Sequence, residues 1–207
     1  MNTDRFKEKR QDLILVFHLC VSVCICVYLW LSLAFEFDEH MTALISGKAH
    51  VLGDDINTDI HCSSKYHPGR DNAYVAQHAF EQLAPGFAAR FAQGDIIVAG
   101  RNFGNNSSRE QAVHILRALG VAAIVATSFG RQFFRNCINN GLPAIECDLG
   151  RIAENAALEI DLAGGRISVP TRGIVREVPP LPAAVQEIIA AGGLIPFLKA
   201  HPDWAIR

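Results

Sequence analysis

The sequence lacks the cysteine pairs of a small metal site. Its six cysteines are scattered, and none forms a C-x-x-C pair. Neither a zinc site nor a complete iron–sulfur ligand set is therefore predicted for this chain, and no metal site is expected in it. Scattered single cysteines favour a reducing compartment over a disulfide-bonded secreted protein.

Several other functional motifs are missing. The chain has no run of lysine and arginine, no basic helix face and a net charge of only −2, so a nucleic-acid partner is not expected. The absence of a Gly-x-Ser-x-Gly elbow argues against a serine hydrolase. Without a G-x-G-x-x-G loop, no motif supports dinucleotide binding. The 207 residues are enough for one domain with a sizeable core.

The most informative stretch is a polar loop between a predicted strand and a predicted helix. Residues 95–99 form a short apolar run typical of a buried strand, and residues 101–110 read RNFGNNSSRE. Ser107 and Glu110 have the spacing of a capping box, so we expect the helix to begin at Ser107 and to end at Gly120. Free N–H groups and the helix dipole would then favour an anion such as a carboxylate, which Arg109 can bind with two parallel bonds.

The surrounding pattern predicts an α/β fold with a parallel sheet. Apolar runs at residues 95–99, 121–126 and 144–147 alternate with helical patterns, which gives a strand–helix–strand–helix–strand centre. An opening strand is expected at 42–52, a polar loop at 53–70 and a helix at 72–83. A short β-hairpin region is predicted at 158–178, and a closing helix at 183–191.

Three sequence blocks carry a resemblance to a known family. They read GDDINTD at 53–59, NFGNNSSRE at 102–110 and SFGRQFFRNCINNGLP at 128–143. In this order they resemble the small subunits of 3-isopropylmalate dehydratase, which are swivel domains of the aconitase superfamily. The resemblance covers residues 41 to about 199. It implies a swivelling β/β/α domain and a hydro-lyase that isomerises 2-isopropylmalate to 3-isopropylmalate in leucine biosynthesis.

The resemblance also implies roles for individual residues. Ser107 matches the serine that acts as the catalytic base. Ser108, Arg109 and Lys65 match substrate-binding positions, while Thr58, Asp59 and Tyr66 match positions that support the substrate loop.

A serine alkoxide is unreasonable in water, but backbone amides and a guanidinium beside it would stabilise its charge. Alternatives remain open: Lys65 could be a solvated loop lysine, and the acidic residues of 54–59 are better suited to turn hydrogen bonds than to calcium.

A partner subunit follows from the same resemblance. Relatives use a [4Fe-4S] cluster as a Lewis acid, and a large subunit holds it, so this chain is expected to bind no cofactor itself and to act only in a heterodimer or heterotetramer. The segment at residues 61–70 departs from the family pattern, which leaves homoaconitate, citraconate and dimethylmalate types open as substrates. A non-catalytic swivel module anchored in a membrane is a further alternative.

The N-terminus presents a separate problem. Residues 13–35 contain no Asp, Glu, Lys or Arg and are long enough to span a bilayer, and basic residues precede them. Insertion would place the rest of the chain outside the cytoplasm, away from a metabolic partner. We therefore favour a mis-assigned start codon, with residues 1–40 as an extension and 41–207 as the swivel domain. A membrane anchor and a targeting peptide are the alternatives; the expected location is the cytoplasm.

Overall fold

The computed structural model describes residues 44–63, 65, 67–106 and 108–202. The apolar segment at 13–35 and the predicted boundary between residues 40 and 41 lie outside this range. The division into an extension and a swivel domain therefore stays a prediction. Among the described residues, no single helix has the length and apolar character needed to cross a bilayer. Two consecutive helices, Ala183–Ala190 and Leu194–Ala200, are together long and apolar enough for a span, but the pair is bent by 93°.

The fold is built on one sheet whose two halves run differently. Its seven strands have the order β4-β3-β2-β1-β5-β6-β7. The strands are β1 (Leu44–Val51), β2 (Ile96–Ala99), β3 (Ala123–Ala126), β4 (Ala144–Glu146), β5 (Ala157–Asp161), β6 (Arg166–Val169) and β7 (Ile174–Glu177). β1 to β4 pair in parallel, whereas β1, β5, β6 and β7 pair antiparallel.

β1 joins the two halves because different parts of it pair with different neighbours. Residues 44–48 pair with β5, and residues 49–51 pair with β2. The sheet curls, and β5 and β6 cover one face of the parallel half. Leu158 and Ile160 of β5 share a core with Ile96 and Val98 of β2.

Both faces of the central strands are therefore buried, as continuous apolar runs predict. Every residue of β2 and β3 is buried. On the face opposite β5 and β6, Ile97 and Ile124 pack against helices in a second core. Burial of each such side chain contributes about 1.5–3 kcal/mol to the free energy of unfolding.

Helices connect the parallel strands and cover the second core. They are α1 (Thr58–His61), α2 (Asn72–Ala76), α3 (Phe87–Arg90), α4 (Gln111–Leu119), α5 (Arg131–Asn139), α6 (Ala183–Ala190) and α7 (Leu194–Ala200), and a 3-10 helix spans Pro170–Arg172. α4 follows β2 and α5 follows β3, so the predicted strand–helix–strand–helix–strand centre is confirmed, as is the hairpin of β5 and β6. α4 ends at Gly120 in the left-handed region, as expected.

The predicted capping box is wrong. α4 begins at Gln111, and Glu110, at the N-cap, makes no side-chain capping bond. Ser108 and Arg109 lie in irregular backbone before the helix. The helix therefore starts later than the capping pattern predicts.

Two further predictions differ from the structure. The helix expected at 72–83 ends at Ala76, because Phe80 has a positive φ of 59° and donates its N–H to the carbonyl of His61 instead of continuing the helix. Leu83, predicted on the apolar face, is exposed. The segment 53–70, predicted to be a loop, contains the short helix α1. The sequence pattern predicts no helix where α7 lies.

Candidate active site

The candidate site lies at one edge of the parallel half of the sheet. β1, β2 and β3 run in the same direction, so the loops that follow them leave at the same edge. The carboxyl ends of parallel strands are where open α/β sheets place their ligand sites. The three loops carry the three sequence blocks at 53–59, 102–110 and 128–143.

The loops after β1 and β2 are tied together by charged and polar contacts. Oδ1 of Asp54 accepts the backbone N–H of Arg101 at 2.8 Å, and Oδ2 accepts its guanidinium at 3.1 Å. These bonds hold the pKa of Asp54 below its usual value, and the bond from the backbone N–H of Arg101 has the largest effect. Gly100 allows this approach, because a Cβ there would lie 1.8 Å from Oδ1 of Asp54. Asp55 accepts the side-chain amide of Asn102 at 2.8 Å.

The loop after β2 is also fixed against the loop after β3. Phe103 forms a parallel bridge with Phe129. Gly104 has a φ of 74° and donates its N–H to the carbonyl of Ile56 at 2.8 Å. A Cβ on Gly104 would lie 2.2 Å from the ring of Phe133 in α5, so only glycine fits this position. The Asn-Phe-Gly part of the block thus sets the course of the loop before the serines.

Arg109 is the predicted site residue whose surroundings are best defined. Its side chain is 48% exposed, and Nη2 lies 3.8 Å from Oδ2 of Asp59. Nη1 lies 3.5 Å from Oγ of Ser63, which is buried. Arg109 therefore faces the segment that follows β1, and the structure brings it close to Asp59, another predicted site residue.

Thr58 begins α1 and is fully buried. Its Oγ1 has no hydrogen-bond partner among the described residues. The N-cap Asn57 accepts the backbone N–H of Asp59 at 3.0 Å, which orients the start of this short helix. The buried Thr58 hydroxyl does not face solvent, and its predicted role in supporting the substrate loop stays a prediction.

The remaining predicted residues are described only in part. Lys65 is exposed, and its backbone N–H is donated to Oγ of Ser63 at 3.2 Å. Ser108 is exposed, and its carbonyl accepts the side-chain amide of Asn136 in α5 at 3.4 Å. Ser107 and Tyr66 lie outside the described residues.

A cavity beside Arg109 was not anticipated from the sequence. Its volume is about 290 Å³, and Ser63 is shared between its lining and the contacts of Arg109. The lining residues are Ile60, His61, Ser63, His67, Val75, His78, Glu81 and Gln82. His67 and His78 stack with ring centroids 4.9 Å apart, and burial lowers the pKa of His61. The departure of residues 61–63 from the family pattern is the one sequence feature that points to this cavity. No local pattern indicates that His78 lies next to this segment.

Comparison with known proteins identifies the fold and the family. The aconitase C-terminal domain family matches residues 50–149. The 3-isopropylmalate dehydratase small subunit of Moorella thermoacetica is 45% identical over 157 residues, which cover 75% of this chain and 95% of that protein. The small subunit of Pyrobaculum neutrophilum is 46% identical over 157 residues, 75% of this chain and 96% of the relative. The chain belongs to the family of 3-isopropylmalate dehydratase small subunits.

A solved structure supports the same assignment for the fold. The crystal structure of 3-isopropylmalate dehydratase from Methanocaldococcus jannaschii has a TM-score of 0.71 and 37% identity to this chain. The match covers 77% of this chain and 95% of the chain in that structure. The predicted swivel-domain fold of this small-subunit family is therefore confirmed.

Three cysteines, Cys62, Cys137 and Cys147, lie among the residues that the structure describes. Burial raises the pKa of the Cys62 and Cys137 thiols, and Cys147 is half-buried with its pKa also raised by burial. An iron–sulfur cluster needs thiolates. Within the part of the chain that the structure describes, no group of three or more His, Cys, Asp or Glu residues could hold a metal ion. These residues therefore do not fit an iron–sulfur cluster.

Proposed function

We propose that this chain is the small subunit of a hydro-lyase that converts 2-isopropylmalate to 3-isopropylmalate by removing water and adding it back, a step of leucine biosynthesis. The observation that carries this proposal is the placement of Arg109 against Asp59 and Ser63, where the loops after β1 and β2 meet. A half-exposed guanidinium held in place on one side can offer its other N–H groups to a dicarboxylate.

Each predicted site residue then has a defined part in the reaction. Arg109 binds a substrate carboxylate with its planar fork, and Ser108 and Lys65 add donors to the same anion. Asp59 orients Arg109, while Thr58 and Tyr66 support the loop that carries Lys65. Charge complementarity is the physical basis, because two cations on adjoining loops match a doubly charged substrate.

Ser107 serves as the base that removes the proton next to a carboxylate. It stands two residues before Arg109 in the sequence. A positive guanidinium and backbone N–H groups favour an alkoxide over the neutral hydroxyl and lower the pKa of such a serine. The same serine would return the proton when water is added back.

The chain needs a large subunit for activity, in a heterodimer or heterotetramer. We place the [4Fe-4S] cluster in that subunit, where it would supply a Lewis acid for the leaving hydroxyl. A cytoplasmic location and a swivel domain at 41–207, preceded by an extension at 1–40, belong to the same proposal.

The decisive experiment measures turnover of the full chain with its large subunit. Both chains would be co-produced and assayed without oxygen on 2-isopropylmalate and on homoaconitate-, citraconate- and dimethylmalate-type substrates. We expect turnover that requires both chains and is fastest with 2-isopropylmalate. Faster turnover of another substrate in this panel would reassign the substrate, and a stable, cluster-loaded complex that is inactive on every substrate would contradict the hydro-lyase proposal.

A further inference from the structure

The hydroxyl of Ser63 contacts both the Arg109 side chain and the Lys65 backbone in the candidate site. Ser63 is only 4% exposed, and its Oγ lies 3.5 Å from Nη1 of Arg109. The same atom accepts the backbone N–H of Lys65 at 3.2 Å. A serine oxygen has two lone pairs, so it can accept from both donors at once. Arg109 and Lys65 come from loops 44 residues apart in the chain, and Ser63 contacts both.

The second contact of Arg109 comes from the same segment. Asp59 lies 3.8 Å from Nη2, so Ser63 and Asp59 hold neighbouring nitrogens of one guanidinium. A guanidinium has five N–H donors in a planar fork, so donors remain for a ligand while these two contacts persist. The half-exposed side chain would otherwise sample many rotamers, and ordering it would weaken substrate binding.

The buried position of Ser63 separates it from an ordinary loop serine. Its neighbour Cys62 is also buried, and the cavity of about 290 Å³ opens beside the Ser63 side chain. A buried hydroxyl cannot exchange its contacts for water at no cost, so its hydrogen bonds are specific. Threonine keeps the hydroxyl and adds one methyl group, so it separates loss of the hydroxyl from a change of side chain in general.

We propose that Ser63 is a positioning residue for substrate binding, whose buried hydroxyl keeps Arg109 and the Lys65 backbone in register before the dicarboxylate arrives. This inference rests on the proposed function. Ser63 acts through Arg109 and Lys65 and takes no part in proton transfer. Its loss should therefore weaken binding of the substrate far more than it slows the chemical step.

The test uses the full chain assembled with its large subunit and 2-isopropylmalate as the substrate. Ser63→Ala should raise KM roughly 3–10-fold and change kcat less than about 2-fold. Ser63→Thr keeps the hydroxyl and should return KM to within about 2-fold of the natural chain. Ser63→Cys fills the place of the hydroxyl with a slightly larger thiol that is a poor acceptor, so its KM should resemble that of Ser63→Ala without the small void that alanine leaves.

A double-mutant cycle shows whether the effect passes through Arg109. In an Arg109→Lys background the planar fork is gone, so adding Ser63→Ala should raise KM less than about 2-fold further. A full, multiplicative rise in that background would overturn the proposal, as would an unchanged KM in Ser63→Ala and Ser63→Cys. A natural complex that turns over no malate contradicts the proposed function, whereas a normal natural complex with unaffected Ser63 variants contradicts this inference alone.

Discussion

The parallel and antiparallel halves of the sheet share one strand but differ in what their loops carry. β1, β2 and β3 all end at the same edge, and contacts such as Asp54 with Arg101 fasten their loops together. β5, β6 and β7 are joined by local turns at alternating ends, and their side chains alternate between buried and exposed along β5.

This difference follows from strand direction. Parallel strands need long crossover connections that begin at one common edge, so several loops can converge there. Antiparallel strands are joined by short turns at alternating ends, so their loops do not gather at one edge of the sheet. The antiparallel half covers the core and the parallel half carries the predicted site. Substitutions in the parallel half should therefore affect kcat and KM, whereas matched substitutions in the antiparallel half should not. The paired variants below test this difference.

The largest expected effect is on the rate. Ser107→Ala should lower kcat of the assembled enzyme by about 10²–10⁴-fold, because a positioned base contributes that much to a proton transfer. Assembly and KM should change little, and steady-state kinetics with 2-isopropylmalate measures both. Ser168→Ala on β6 is the matched change in the antiparallel half and should leave kcat unchanged. Near-normal turnover in Ser107→Ala would remove the base assignment.

The second effect is on stability. Gly104→Ala should lower the free energy of unfolding by about 2–5 kcal/mol, since alanine resists the positive φ and its Cβ collides with Phe133. Gly173→Ala on the antiparallel side has a φ of 60° but open space around it, and should cost about 1–2 kcal/mol. Urea unfolding of the full chain compares them; equal losses would show that the Phe133 contact does not restrict this loop.

The third effect is on substrate affinity. Arg109→Lys keeps the charge but loses the planar fork, so KM should rise about 10-fold, with some loss of rate. Arg166→Lys on β6 makes the same chemical change at an exposed position of the antiparallel half and should leave KM unchanged. If KM of Arg109→Lys stays normal, Arg109 has only a structural role.

The smallest effect concerns pH. Asp95, just before β2, is buried, which by itself raises its pKa, but bonds from Ala92 N, His50 and Lys48 N outweigh this and leave the pKa below its usual value. Because the folded pKa is the lower one, the stabilisation is present above the unfolded value of 3.8 and is lost as pH falls through the folded pKa.

Asp95→Asn should therefore lower the free energy of unfolding by about 1–3 kcal/mol at pH 7 and flatten its decline below about pH 4. Urea unfolding at several pH values measures both quantities. Glu177→Gln on β7 removes an exposed carboxylate from the antiparallel half and should change stability by less than about 0.5 kcal/mol. If the free energy of unfolding falls with decreasing pH equally steeply in Asp95→Asn and in the natural chain, Asp95 does not cause the acid sensitivity.

The order of strands and helices was predictable because each element leaves a local pattern. The predicted strands at 95–99 and 121–126 agree with β2 and β3 to within two residues, whereas α4 begins four residues after the predicted start at Ser107. Predictions failed where a distant contact overrides the local preference. The helix predicted at 72–83 ends early, and Phe80 donates its N–H to the carbonyl of His61, which lies far away in the chain.

The candidate site was predictable in its residues but not in its geometry. The resemblance to the family predicts site roles for Arg109, Lys65 and Asp59, and the structure places Arg109 3.8 Å from Asp59. Ser63 and the cavity lined by His61, His67 and His78 were missed, because their proximity depends on how two loops and α2 fold over one another. The roles of all these residues stay predictions.

The sequence by itself determined the alternation of strands and helices and the charged and hydroxyl groups available for binding an anion, since short-range spacing and composition encode these. Its three blocks also carried the resemblance to the family. Only the tertiary structure decided that Ser63 contacts Arg109 across 46 residues and that β1 pairs with β2 at one end and β5 at the other. The physical reason is that such contacts depend on the paths of whole loops, which the packing of distant side chains selects.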